Sequence, residues 1–120
     1  MVKNEKGFTL VELIVAVTVF TWALLALLGA NMLVIQLLGA GDRASTASFY
    51  ARERMETLRG LSCGVLKDSS ETRGDIYDLS WDVEDAYAGS ARRVQLLVSY
   101  PSLPGATRTD TVESLVLCVR

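Results

Sequence analysis

Between Leu13 and Gly41 the chain carries no Asp, Glu, Lys or Arg. The apolar stretch around this gap runs from Phe8 to Leu38, well beyond the ~20 residues a helix needs to cross a bilayer. Secretory signals have an apolar core of only about 7–15 residues. The segment therefore reads as a retained membrane anchor. Lys3 and Lys6 precede it and no cation interrupts it, which predicts a cytoplasmic N-terminus and a body on the far side of the membrane.

The remainder of the chain is a different physical object. Sixteen charged residues fall between Asp42 and Asp85, so a greasy rod is joined to a polar body. The formal net charge is −2, and the basic residues are interleaved with acids, which argues against a uniformly basic nucleic-acid binder. Histidine is absent, removing Ser–His and Cys–His dyads and His-based metal sites. Two cysteines alone cannot build a structural zinc site. The expectation is a protein that is not an enzyme, with no catalytic residues, no metal and no cofactor.

Glu12 breaks the apolar pattern near its start. A carboxylate in the hydrocarbon region costs roughly 2.5–3.5 kcal/mol on insertion scales. Glu12 either reaches back to the headgroups, or is protonated, or meets a specific cation inside the membrane. The segment Lys6-Gly7-Phe8-Thr9-Leu10-Val11-Glu12-Leu13-Ile14 resembles the N-terminal signature of type IV pilins and pseudopilins. The resemblance implies cleavage between Gly7 and Phe8 by a prepilin peptidase, followed by N-methylation of the new Phe8 amine. It further implies that Glu12 pairs with the Phe8 amine of a neighbouring subunit and sets axial register in a filament. Breaking a buried ion pair costs about 3–5 kcal/mol, so such a pair selects one register strongly.

Past the membrane the helical pattern continues. Ala44, Ala47, Ala51, Met55 and Leu58 follow three-to-four-residue spacing, with Arg43, Arg52, Glu53, Arg54, Glu56 and Arg59 mostly on other faces. Gly60 is the expected stop. Gly29, Gly39 and Gly41 interrupt the helix at about 1 kcal/mol each relative to Ala, and suit either close helix packing or a hinge. Many major pilins carry a proline where this chain has Gly29, counting from the cleavage site; its absence fits a minor subunit or pseudopilin.

Beyond Gly60 the pattern becomes β. Tyr77, Leu79, Trp81 and Val83 alternate with Asp78, Ser80, Asp82 and Glu84, a half-buried strand. Val94 to Tyr100 is a second strand stopped by Pro101, and Thr111 to Val119 a third whose weak alternation suits cover on both faces. Asp85–Arg92 and Pro101–Asp110 are the connections. The predicted fold is α+β: a long N-terminal helix, transmembrane in its first half, packed on a small three-stranded antiparallel sheet. The expected divisions are a leader over 1–7, a transmembrane or filament-core helix over 8–41, an amphipathic extension over 42–60 and a periplasmic β body over 61–120.

A body of about 60 residues gains little from its core alone. Cys63 and Cys118 would both lie in the oxidising periplasm, where a disulfide closes a loop worth about 4 kcal/mol by chain entropy. The alternatives are two separate buried thiols, or redox or metal chemistry. Arg92 and Arg93, with Arg73, Arg108 and Arg120, are candidate DNA contacts. The neighbouring Asp75, Asp78, Asp82, Glu84 and Asp85 favour mixed solvated faces instead, and this acidic set lacks the spacing of a calcium loop. Trp81, Tyr87 and Tyr100 read as core or rim aromatics.

The Ala51–Arg59 stretch and the terminal strand look similar to PilV-like minor pilins and to the small minor pseudopilins of type II secretion. The implied role is a structural subunit of a pilus, or of a secretion pseudopilus. The implied partners are the prepilin peptidase, other pilin or pseudopilin subunits through the N-terminal helix, an inner-membrane assembly platform, and membrane lipid before assembly. The implied location is the bacterial inner membrane and then the filament. The rival reading is an uncleaved, single-pass anchored periplasmic protein.

Overall fold

The structure is a computed structural model that describes residues 7–118. Most of the expected leader, residues 1–6, lies outside the described residues, as do Val119 of the expected third strand and Arg120. The chain divides between Leu38 and Gly39 into two compact units, and α1 (Leu10–Arg59) runs through both.

In the first unit α1 is an uninterrupted helix whose apolar side chains are exposed. Its most apolar 18-residue window has a mean hydropathy of 2.4 and nothing buried within the protein. The hydroxyls of Thr18 and Thr21 donate to the Val15 and Val17 carbonyls, each at 2.8 Å. Both are thereby satisfied inside the helix, as an apolar surrounding requires. Gly29 does not break the helix, and a Cβ added there would meet open space.

In the second unit α1 ends at Arg59. Gly60 follows, as expected, but without the left-handed conformation of a glycine cap. The helix closes instead with short-range bonds, Gly60 N–H to the Thr57 carbonyl at 3.2 Å and Leu61 N–H to the Leu58 carbonyl at 3.2 Å. The sheet comprises β1 (Ser69–Arg73), β2 (Tyr77–Ala86), β3 (Ala91–Leu103) and β4 (Ala106–Leu117), an antiparallel meander in chain order.

The sheet thus has four strands, not the three expected. β1 reads Ser-Ser-Glu-Thr-Arg, with no apolar residue to alternate. It forms by pairing with β2 from Ser69 opposite Trp81 to Arg73 opposite Tyr77, a tertiary cause invisible to periodicity. The expected Pro101–Asp110 connection is also corrected. β3 continues through Pro101 to Leu103, because the register shift with β4 falls between Pro101 and Leu103, where a residue without an N–H is tolerated. Arg43 donates to the Pro101 and Ser102 carbonyls there, each at 3.3 Å. Only Pro104 and Gly105 link the two strands, Gly105 with φ 78°, a left-handed conformation that glycine adopts without steric cost. The Asp85–Arg92 connection shrinks likewise to residues 87–90, since Ala86 pairs with Ala91.

The helical stripe lies where its spacing placed it. Ala47, Ala51, Met55 and Leu58 are buried against Tyr77, Leu79, Trp81, Val94, Leu96, Val98 and Tyr100, with Ala44 partly buried beside them. β3 is one of the sheet's two inner strands, and its Val94, Leu96 and Val98 are wholly shielded from solvent. Leu96→Ala should therefore cost about 2–5 kcal/mol, read as a lower urea midpoint with an unchanged slope. The expectation that the last strand is covered on both faces is corrected: in β4 only Val116 is buried. β4 is an edge strand, and the helix covers only part of its inner face.

Candidate functional site

The N-terminal signature is built on the first turn of α1. Thr9 precedes the helix; its Oγ1 accepts the Glu12 N–H at 3.3 Å, and its carbonyl accepts the Leu13 N–H at 3.1 Å. Thr9 is therefore an N-cap, which satisfies a backbone donor that has no intrahelical partner. Glu12 stands at the third helical position, where a carboxylate is favoured by the positive end of the helix dipole. Thr9-x-x-Glu12 is the spacing of a capping box. That spacing is legible in the sequence, beside the membrane cost of the Glu12 carboxylate. Phe8, just before the cap, is 82% exposed, and Glu12 is exposed as well. Gly7, Phe8 and Glu12 thus lie within one turn of a helix start, free of contacts from the rest of the described chain.

The body has its own fixed points. Cys63 and Cys118 are joined in a disulfide with Cα atoms 5.6 Å apart. The bond ties the segment after α1 to the residue after β4, and the Cys118 N–H donates to the Ser90 carbonyl at 2.9 Å. Trp81 Nε1 donates to the Lys67 carbonyl at 3.1 Å, and Asp68 accepts the Val83 N–H at 2.7 Å. Arg54 lies beside the apolar stripe and is partly buried. Its guanidinium carbon lies 4.4 Å from the centre of the Trp81 ring, and its Nε lies 3.7 Å from Glu71. Its place three residues after Ala51 and four before Leu58, flanking the apolar stripe, was the available clue.

Among the candidate DNA-contacting arginines, each described one faces a carboxylate. Arg73 meets Glu53 at 2.9 Å, Arg92 meets Asp85 at 2.9 Å, Arg93 meets Glu113 at 3.0 Å and Arg108 meets Asp110 at 2.9 Å. No group of three His, Cys, Asp or Glu side chains among the described residues converges to hold a metal. Trp81 and Tyr100 are core residues, whereas Tyr87 stands exposed on the turn after β2.

Asp110 accepts from the Tyr100 hydroxyl at 2.8 Å and from Arg108 Nε at 2.9 Å. The Tyr100 hydrogen bond, assisted by Arg108, holds the Asp110 carboxyl below its ordinary value. Burial and the same bond push the Tyr100 phenol up. A carboxyl lowered by folding contributes stability above its unfolded value near ~3.9, and that contribution is lost as the pH falls through the folded value. Asp110→Asn should therefore flatten the acid limb of a stability profile below about pH 4. A limb unchanged by the substitution would contradict this.

Residues 2–28 match the prokaryotic N-terminal methylation motif. The methylation motif covers the signature around Gly7, Phe8 and Glu12 together with the first part of α1, and it supports a prepilin-type, type IV pilin-like family. It implies processing by a prepilin peptidase and assembly with pilin-like subunits, and with the apolar helix it suits membrane anchoring. No curated protein and no solved structure matches the chain.

Proposed function

We propose that the chain is a minor type IV pilin, a non-catalytic structural subunit that enters or primes a pilus. The methylation motif over residues 2–28 carries this reading. The prepilin waits in the bacterial inner membrane with its N-terminus in the cytoplasm and its body in the periplasm. Prepilin peptidase removes the leader, residues 1–7, by cutting between Gly7 and Phe8, and the Phe8 amine is methylated. An inner-membrane platform then draws residues 8–41 out of the lipid and into a bundle of like helices. Residues 42–60 and 61–120 form the exposed body.

The physics supports that order of events. Apolar side chains on every side of the helix are exposed in the isolated chain and must exchange lipid for protein neighbours on assembly. Glu12 and the Phe8 amine of the next subunit are costly in an apolar surrounding when alone and much less so as a pair. Assembly thus couples helix burial to one axial register.

The same motif serves a minor pseudopilin of type II secretion. Mass spectrometry of filaments sheared from cells tests the choice. Recovery of peptides from this chain in the surface-filament fraction supports the pilus subunit. Recovery only in the envelope, with export of a secreted enzyme lost on deletion, supports the pseudopilin.

A further inference from the structure

The free edge of β4 is the least protected part of the body. β4 is 12 residues long and stands at the margin of the sheet. Every second N–H and C=O along that margin therefore lacks a ladder partner among the described residues. The opposite margin, β1, is five residues long and wholly polar. Native edges are usually blunted by proline, by a bulge or by free charges. β4 has no proline, and its register shift lies at its far end, beside Pro101–Leu103. Its charged side chains are already engaged, Arg108 with Asp110 at 2.9 Å and Glu113 with Arg93 at 3.0 Å.

Its inner face is open as well. The helix reaches Ser114 through Arg59 Nε at 3.0 Å and leaves Val112 37% exposed. Between them lies a cleft of about 570 Å³, bordered by Ala47, Ala51 and Met55 of α1 and by Asp110 and Val112 of β4. The walls are largely apolar and the rim is charged. Glu56 lies 3.8 Å from Arg59, and Asp110 is held by Tyr100 and Arg108. Arg52, on the same rim, has no carboxylate partner among the ion pairs of the described residues.

We infer that β4 is a docking edge for an extended segment of a different polypeptide, which adds as a fifth strand, turns alternate apolar side chains into the Val112 cleft and sets a carboxylate against Arg52. Backbone hydrogen bonds supply affinity in such strand addition, and alternate side chains in pockets supply specificity. The unpaired cation selects the chemistry of the partner. A second copy of this chain fits poorly. The strand it would offer is β4 itself, whose carboxylates Asp110 and Glu113 are already held by Arg108 and Arg93. The inference does not depend on processing of the N-terminus.

The test uses the full chain in detergent micelles and two capped nine-residue peptides of alternating Thr and Val, one with a central Glu and one with a central Lys. Hydrogen exchange of Ala106–Leu117 should slow about tenfold with saturating Glu peptide, while Ser69–Arg73 is unchanged. Arg52→Glu alters an exposed side chain without an ion partner and should leave the fold intact. It should weaken the Glu peptide about fivefold and reverse the preference toward the Lys peptide. Exchange in β4 that ignores both peptides overturns the inference. So does peptide binding indifferent to Arg52→Glu. β4 protection that grows with protein concentration in the absence of peptide would assign the edge to self-association, and equally overturns it.

Discussion

Glu12→Ala protein is expected to be cleaved at Gly7–Phe8 and methylated as usual, yet to fall about a hundredfold in filaments. The magnitude follows from leaving one member of an apolar-environment ion pair alone, about 3 kcal/mol or more, at 1.4 kcal/mol for each factor of ten. The structure supplies a competing role for this residue. Thr9 caps the helix and Glu12 occupies the third helical position, so loss of the side chain also weakens a helix start, by about 0.3–1.5 kcal/mol. Glu12→Gln separates the two. Glutamine serves a capping box as glutamate does, but it carries no charge. The ion-pair account predicts that Glu12→Gln assembles as poorly as Glu12→Ala. Filaments at the normal level from Glu12→Gln would reduce Glu12 to a helix cap. The assay is the ratio of this subunit in sheared filaments to that in membranes, measured beside the processed mass.

The second large effect belongs to the disulfide. β4 is held to the body by its ladder with β3, by buried Val116 and by the bond from Arg59 to Ser114. Its C-terminal end is stapled through Cys118 to Cys63, across a sequence separation of 55 residues. Closing a loop of that size removes chain entropy from the unfolded state worth about 4 kcal/mol. In a body this small that is a large share of the typical 5–15 kcal/mol total. The variant with both Cys63→Ser and Cys118→Ser avoids a stray thiol. It should unfold at a urea midpoint lower by the equivalent of about 4 kcal/mol, and the amides at the end of β4 should exchange before those of β3. A loss under about 1 kcal/mol, with β3 and β4 still exchanging together, would mean that the ladder alone holds the strand.

The contrast between β2 and β1 shows what the sequence could and could not disclose. Where one face is buried and the other wet, the side chains record it. The alternation from Tyr77 to Trp81 and the helical stripe from Ala47 to Leu58 mark residues that are buried in the core. β1 carries no such record, because it is polar on both faces and owes its existence to its neighbour. Pro101 misled in the opposite direction. Proline ends most central strands, but here it coincides with a register shift that Arg43 secures from the helix. Val112, Leu115 and Leu117 belong to the strand expected to be covered on both faces and are exposed, since an apolar edge strand and a covered one have the same composition. At the N-terminus, by contrast, Gly7, Phe8, Thr9 and Glu12 form a local pattern. Their meaning depends on spacing along one chain, and the methylation motif spans the same residues. The capping role of Thr9 was equally local and equally legible.

A pilin-type role turns on whether the N-terminus is processed. The most direct measurement is the intact mass of the membrane-extracted protein, made with and without co-expressed prepilin peptidase. Loss of Met1–Gly7 together with the gain of one methyl group, only when the peptidase is present, is the predicted result. An unchanged mass, with the same peptidase cleaving a control prepilin in parallel, would contradict the account and leave a plain membrane anchor in its place.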